Sequence, residues 1–187
     1  MNSYKTLKFV LKPIFKILYR PTIINKEKIP TEKAFIFAGN HKNALDPALV
    51  ALSTKRTVRF LAKKELLEGK TKLFFKAIKA IPVDRKHTSV SAVDTAIQIL
   101  KDNGVISLFP EGTRNKTNKI LLPFKFGAVS MAQKTKSPIV PFAITGDYKL
   151  FRKGIKIEFG EPIDISKMEL QEANEYLMQK VEELIKK

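Results

Sequence analysis

Ser89–Phe109, SVSAVDTAIQILKDNGVISLF, is the stretch that decides the fold class. Val90, Val93, Ala96, Ile97 and Leu100 recur at three- and four-residue steps, which predicts a helix over Ser89–Lys101 with one apolar face. Asn103-Gly104 is a stop signal, and Val105–Phe109 follows as an apolar run of strand length leading into Pro110-Glu111-Gly112. The same alternation extends in both directions. Upstream, Lys33–Ala38 reads as a strand, Pro47–Ser53 as a helix with proline in its first turn, and Thr57–Leu61 as a strand. A helical region with Leu66, Leu67, Leu73, Phe74 and Ile78 comes next, then a short strand at Ala80–Val83. Downstream of a Lys/Asn-rich loop at Asn115–Lys119, Phe126–Thr135 reads as helix, and Ile139–Thr145 and Ile155–Phe159 as strands. Ser166-Lys167-Met168-Glu169 has the form of a capping box opening a last helix, with Leu170, Ala173, Leu177, Val181 and Leu184 facing inward. Strands alternating with helices predict an α/β, single-domain sandwich whose mixed, largely parallel sheet is flanked by helices.

The bulk numbers fit one globular domain. The 187 residues are 44% hydrophobic and 28% charged, enough to bury a sizeable core. The absence of cysteine removes disulfides, thiolate metal sites and a Cys nucleophile. The 35 Lys+Arg against 18 Asp+Glu give a net charge of +17, a field that draws nucleic acid, anionic lipid or acidic partners alike.

Part of that charge lies in the first twenty residues, where Lys5, Lys8, Lys12, Lys16 and Arg20 occur with no acid. Tyr4, Leu7, Leu11, Ile14, Phe15 and Leu18 take helical steps, with the lysines expected on the opposite side. No apolar run approaches the roughly 18 residues of a spanning helix. Pro13 is expected to kink or divide this helix. Two readings stay open. The helix lies in a membrane interface, each lysine adding about 1 kcal/mol of attraction to anionic lipid, or its apolar face packs on the domain.

The chemistry starts at Asn40-His41-Lys42-Asn43-Ala44-Leu45-Asp46. A histidine titrates near neutrality and can take a proton from a hydroxyl, and a carboxylate on its other ring nitrogen fixes the tautomer. Five helical residues turn roughly 500°, which would leave the two side chains about 140° apart. His41 and Asp46 therefore need a turn between them. Gly39 and Asn43 suit one, and Pro47 favours a helix that starts just after Asp46. Asp46 can also cap that helix. His87, the other histidine, has no such partner and reads as exposed.

Three further blocks follow in order: Ile81-Pro82-Val83-Asp84-Arg85, Phe109-Pro110-Glu111-Gly112-Thr113-Arg114, and Ser137–Ile144 with its two prolines. Ala62–Leu66 and Phe124–Ala128 add to the likeness. With the histidine segment these resemble the HX4D and FPEGTR motifs of the glycerolipid acyltransferases, in particular the 1-acyl-glycerol-3-phosphate acyltransferases. The resemblance covers most of the chain.

It implies transfer of a fatty acyl group from a thioester, acyl-CoA or acyl-carrier protein, to the free hydroxyl of lysophosphatidic acid. His41 would be the general base and Asp46 its orienting group. Arg85 and Arg114 would grip the phosphate through paired, charge-assisted hydrogen bonds. Glu111, Gly112, Thr113, Lys63 and Asn40 complete the candidate contacts. Glu111 is read either as binding glycerol hydroxyls or as pairing with Arg114. No cofactor or metal is expected, since one His beside one Asp is too small a ligand set. The implied partners are lysophosphatidic acid, the thioester donor and an anionic membrane surface at the cytoplasmic face of the cell membrane, with no nucleic acid. The implied organisation is a membrane-interface helix at 1–20 and an acyltransferase domain at 21–187. Two alternatives stay open: another acceptor (glycerol-3-phosphate or another lysophospholipid), and a basic nucleic-acid-binding module, which would need a docking motif or stacking aromatics that the chain does not display.

Overall fold

The computed structural model describes residues 3–68, 72–78, 80–83 and 90–187. Among these residues seven strands form one sheet in the order β1-β7-β6-β2-β5-β3-β4. They are β1 (Thr22–Ile24), β2 (Phe35–Gly39), β3 (Val58–Lys63), β4 (Ile81–Val83), β5 (Val105–Leu108), β6 (Ile139–Gly146) and β7 (Ile155–Phe159). The helices are α1 (Ser3–Tyr19), α2 (Asp46–Ser53), α3 (Lys72–Ala77), α4 (Val90–Lys101), α5 (Gly127–Thr135) and α6 (Leu170–Ile185). All pairings are parallel except β6 with β7, so the mixed, largely parallel sheet expected from the alternation is the one observed.

Alternation along β2 shows how the layers form. Ile36 and Ala38 point into a cluster with Ala96 and Leu100 of α4, Ala128 and Met131 of α5, and Leu177 and Val181 of α6. Phe35 and Phe37 point the other way, against Phe15 of α1 and Leu49 and Val50 of α2. A one-residue slip would exchange the two faces, so two differently shaped cores fix the register. Burying each such Phe or Leu contributes about 1.5–3 kcal/mol.

Several local expectations are corrected. Gly39 is the last residue of β2 and not part of a turn; a Cβ there would collide with the Phe142 carbonyl oxygen and ring on β6. Pro13 lies inside α1 and does not divide it. Its missing hydrogen bond concerns the Phe9 carbonyl, and both residues are exposed, where solvent can replace the lost donor. Lys8 is not on the outward side of α1; it is half-buried, with Nζ donating to Arg56 O at 2.9 Å. The capping box does not form. α6 starts at Leu170 after an extended Glu169 that makes no side-chain cap, and the Ser166 N–H donates instead to Asp164 Oδ1.

The topology brings the motifs together. β2, β3, β4, β5 and β6 run in one direction, so the segments that follow them leave the sheet at one edge. Ligands in open α/β sheets bind outside such carboxyl ends.

Candidate active site

The His41 turn is built around one buried carboxylate. Asp46 Oδ2 accepts the N–H groups of Lys42 and Asn43, each at 2.7 Å, and lies 2.9 Å from His41 Nδ1. Asn43 Oδ1 accepts the Leu45 N–H, closing an Asx-type turn. The helix starts at Asp46, with Pro47 in its first turn. The carboxylate thus answers donors before α2 and leaves the helix itself without a side-chain cap. With Nδ1–H donating to Asp46, the basic lone pair of His41 is on Nε2. Asp46 is fully buried, whereas the His41 side chain remains 18% exposed.

Residues 109–115 hold His41 at three points. Its N–H donates to Glu111 Oε1 at 2.8 Å, its carbonyl accepts the Asn115 N–H at 2.7 Å, and its ring stacks on Phe109 with centroids 4.0 Å apart. These contacts change how two candidates are read. Glu111 is buried and its second oxygen accepts the Leu122 N–H, so each oxygen has a backbone partner, and it makes no ion pair with Arg114 among the described residues. Asn40 is likewise turned inward. Its amide bridges both backbone groups of Ile144 on β6, at 2.7 and 2.9 Å. Both residues brace the turn from below.

The open side carries the other candidates. Thr113 and Arg114 are exposed, and Arg114 makes no ion pair among the described residues. Gly112 has φ +70, and a Cβ there would lie 2.9 Å from Lys125 Nζ, so the Lys125 side chain runs over the glycine. The Phe124-Lys125-Phe126-Gly127-Ala128 block thus adds an exposed cation beside Gly112. Lys63 ends β3, with its side chain outside the described ones, and Arg85 and His87 lie outside the described residues.

One side chain in the site has no counterpart in the motif reading. Tyr148, in the loop after β6, donates its hydroxyl to Asp46 Oδ1 at 2.7 Å. Burial first, then the Asp46 charge, pushes the Tyr148 phenol well above its ordinary range, so it stays a donor. Its ring meets Phe15 and Tyr19 of α1 edge-on, at 6.3 and 5.5 Å. The signal for it was topological: Tyr148 follows a strand parallel to β2, at the same sheet edge.

Beside the turn, α1, α2 and α3 enclose an apolar groove of about 420 Å³, with Leu11, Phe15, Leu45, Ala48 and Phe60 in its walls. Among the described residues no helix is long and apolar enough to cross a membrane.

Comparison with known proteins fits this geometry. The Acyltransferase family model matches residues 20–145. A 1-acyl-sn-glycerol-3-phosphate acyltransferase of Bacillus subtilis is 34% identical, with 97% of this chain and 96% of that protein covered. Proteins of the same name from Streptococcus pneumoniae and Cocos nucifera are 34% and 30% identical over 76% and 86% of the chain. The chain spans about half the length of those two, 55% and 56%. The crystal structure of the 1-acyl-sn-glycerophosphate acyltransferase PlsC from Thermotoga maritima superposes with a TM-score of 0.76 at 24% identity, covering 96% of this chain and 76% of that one, and so shares the fold. The chain belongs to the Acyltransferase family, among the 1-acyl-sn-glycerol-3-phosphate acyltransferases, and is an acyltransferase.

Proposed function

We propose that this acyltransferase moves a fatty acyl group from a thioester to the free hydroxyl of 1-acyl-glycerol-3-phosphate, with His41 as general base. The observation that carries the reading is the His41–Asp46 contact at 2.9 Å, inside a turn whose backbone N–H groups share Asp46 Oδ2 while Tyr148 holds Oδ1. His41 Nε2 removes the hydroxyl proton as the oxygen attacks the thioester carbonyl carbon. The C–S bond then breaks, the ester forms, and the imidazolium returns the proton to the departing thiolate. Asp46 stabilises the imidazolium between these steps. Tyr148 acts as a positioning residue, holding the second carboxylate oxygen so that the first stays aimed at His41. A chain with no cysteine cannot form a thioester acyl-enzyme, and it has no Gly-x-Ser-x-Gly elbow; both facts favour direct transfer.

Arg114, with Arg85 and Lys63, binds the acceptor phosphate, and Gly112 and Thr113 lie against its glycerol. Glu111 and Asn40 serve the site indirectly, through the backbone. The apolar groove suits a hydrocarbon chain, and the basic α1 suits an anionic membrane at the cytoplasmic face, where acyl-CoA and acyl-carrier protein are found. The test offers the purified chain lysophosphatidate, glycerol-3-phosphate and a neutral lysolipid, each with acyl-CoA and with acyl-carrier protein. Phosphatidate is the expected product. Transfer to glycerol-3-phosphate in preference would replace the acceptor, and no transfer from either donor would end the proposal.

A further inference from the structure

We infer that the tip of the loop between β6 and β7, Leu150 and Phe151, is a lipid-contacting element that enters the same anionic bilayer surface as the outward stripe of α1. The inference rests on the lipid-acceptor reading of the site and adds a membrane contact far from α1 in sequence.

α1 is apolar on two sides. Tyr4 and Phe15 are buried against the domain, while Val10, Ile14 and Ile17, at steps of four and three, form a second line that faces out. Ile17 is 62% exposed, and Phe9, nearby on the outward side, is 82% exposed. The loop continues this surface. Leu150 and Phe151 are each 58% exposed, and the Phe151 N–H donates to Leu18 O at the end of α1. Contiguous apolar exposure of this kind marks an interaction surface.

The tip is held in place before any partner arrives. Phe151 has φ 58, a left-handed conformation that a non-glycine residue keeps only where its surroundings hold it. The loop root is closed by Asp147 N–H donating to Gly154 O, and Gly146 at φ 77 leaves no room there for a Cβ. A preformed tip loses little freedom on insertion.

Charge selects the partner. Lys149, Arg152 and Lys153 flank the tip and are exposed, as are Lys16 and Arg20 on α1. Asp147 is the sole acid from Asp147 to Ile157, and no acid precedes Glu27. Apolar side chains ringed by cations fit the interface of an anionic bilayer, where lysine and arginine meet headgroups while the apolar groups reach the acyl boundary. The root of this loop carries Tyr148, so membrane contact and the Asp46 carboxylate share one short segment.

The experiment compares wild type, Leu150→Ser/Phe151→Ser, and Leu170→Ser, a control at the partly exposed start of α6. Binding is read by co-sedimentation with vesicles of equal phosphatidylglycerol and phosphatidylcholine. The loop variant should bind roughly tenfold or more weakly, with the deficit surviving high salt because it is apolar, and the control should match wild type. Acyl transfer to vesicle-embedded lysophosphatidate should fall in the loop variant, while transfer to a short-chain acceptor below its aggregation concentration should not. Equal vesicle binding by wild type and loop variant would overturn the inference. So would a concentration-dependent dimer, seen by sedimentation velocity, that the loop variant abolishes, since the surface would then belong to a second copy. Vesicle binding is read without catalysis, so a wild type that binds vesicles but acylates neither acceptor sinks the functional reading alone.

Discussion

The Asn40–Asp46 turn and helix α1 meet at Tyr148 and are held in opposite ways. In the turn almost every polar group has a named partner. Three donors reach Asp46 Oδ2, Tyr148 reaches Oδ1, and Glu111 and Asn115 take the two backbone groups of His41. α1 is seated mainly by apolar contact through Tyr4 and Phe15, with Phe9, Val10 and Ile17 exposed on its outward side. Hydrogen bonds are directional and lose strength steeply with angle, whereas apolar burial is not directional. The turn can therefore fix the angle at which a base meets its proton. The helix can only fix a surface. Tyr148 belongs to both, with its hydroxyl in the first and its ring in the second.

The largest effect should come from the turn itself. His41→Ala is expected to lower kcat by roughly 10³-fold or more while lysophosphatidate still binds. Retained turnover would mean that the built geometry serves stability alone. Arg114→Ala probes a motif cation that makes no ion pair among the described residues. It should cut kcat/KM for lysophosphatidate about tenfold or more, mainly through KM, and much less for an acceptor without phosphate. An equal loss on both acceptors would remove the phosphate assignment.

Tyr148→Phe tests the junction. It keeps the ring between Phe15 and Tyr19 and deletes only the hydroxyl donor to Asp46. The expected cost is about tenfold in kcat with acceptor KM nearly unchanged, since a hydrogen bond to a charged group contributes roughly 1.5–3 kcal/mol. A drop in melting temperature with kcat unchanged would reduce Tyr148 to a packing role.

The comparison also explains what could be read from the chain before folding. β5 and β7 were legible to within a residue, because a short apolar run bounded by turn residues carries its own signal. β1 was not, since Thr22–Ile24 is a strand only by virtue of parallel pairing with β7, more than a hundred residues away. The need for a turn between His41 and Asp46 followed from helix geometry alone. The partners of that turn did not. Glu111 lies 70 residues from His41 and Tyr148 lies 102 from Asp46, and only the order of strands in the sheet brings them together. Residue type misled at Gly39 for a similar reason: the glycine answers a neighbouring strand rather than a bend.

The smallest effect concerns the charge that α1 places against the domain. Asp46 is buried with four donors around it, but Lys8 is half-buried with one hydrogen-bond acceptor among the described residues, the Arg56 carbonyl, and with Lys12 and Lys26 nearby. Burial first, then those lysines, lower the Lys8 pKa to about 8 from 10.5. Between these values the unfolded chain holds a proton that the folded chain has released, so stability rises with pH across this window and the gain is complete above it. Lys8→Met removes the titration and keeps an unbranched apolar stem. The melting temperature of wild type relative to Lys8→Met should therefore climb between pH 8 and 10.5, while the other lysines cancel in the difference. A flat difference would show that the Lys8 ammonium is as well satisfied as the Asp46 carboxylate. α1 would then be held by directed polar contacts as the turn is, and the contrast between the two regions would fail at this residue.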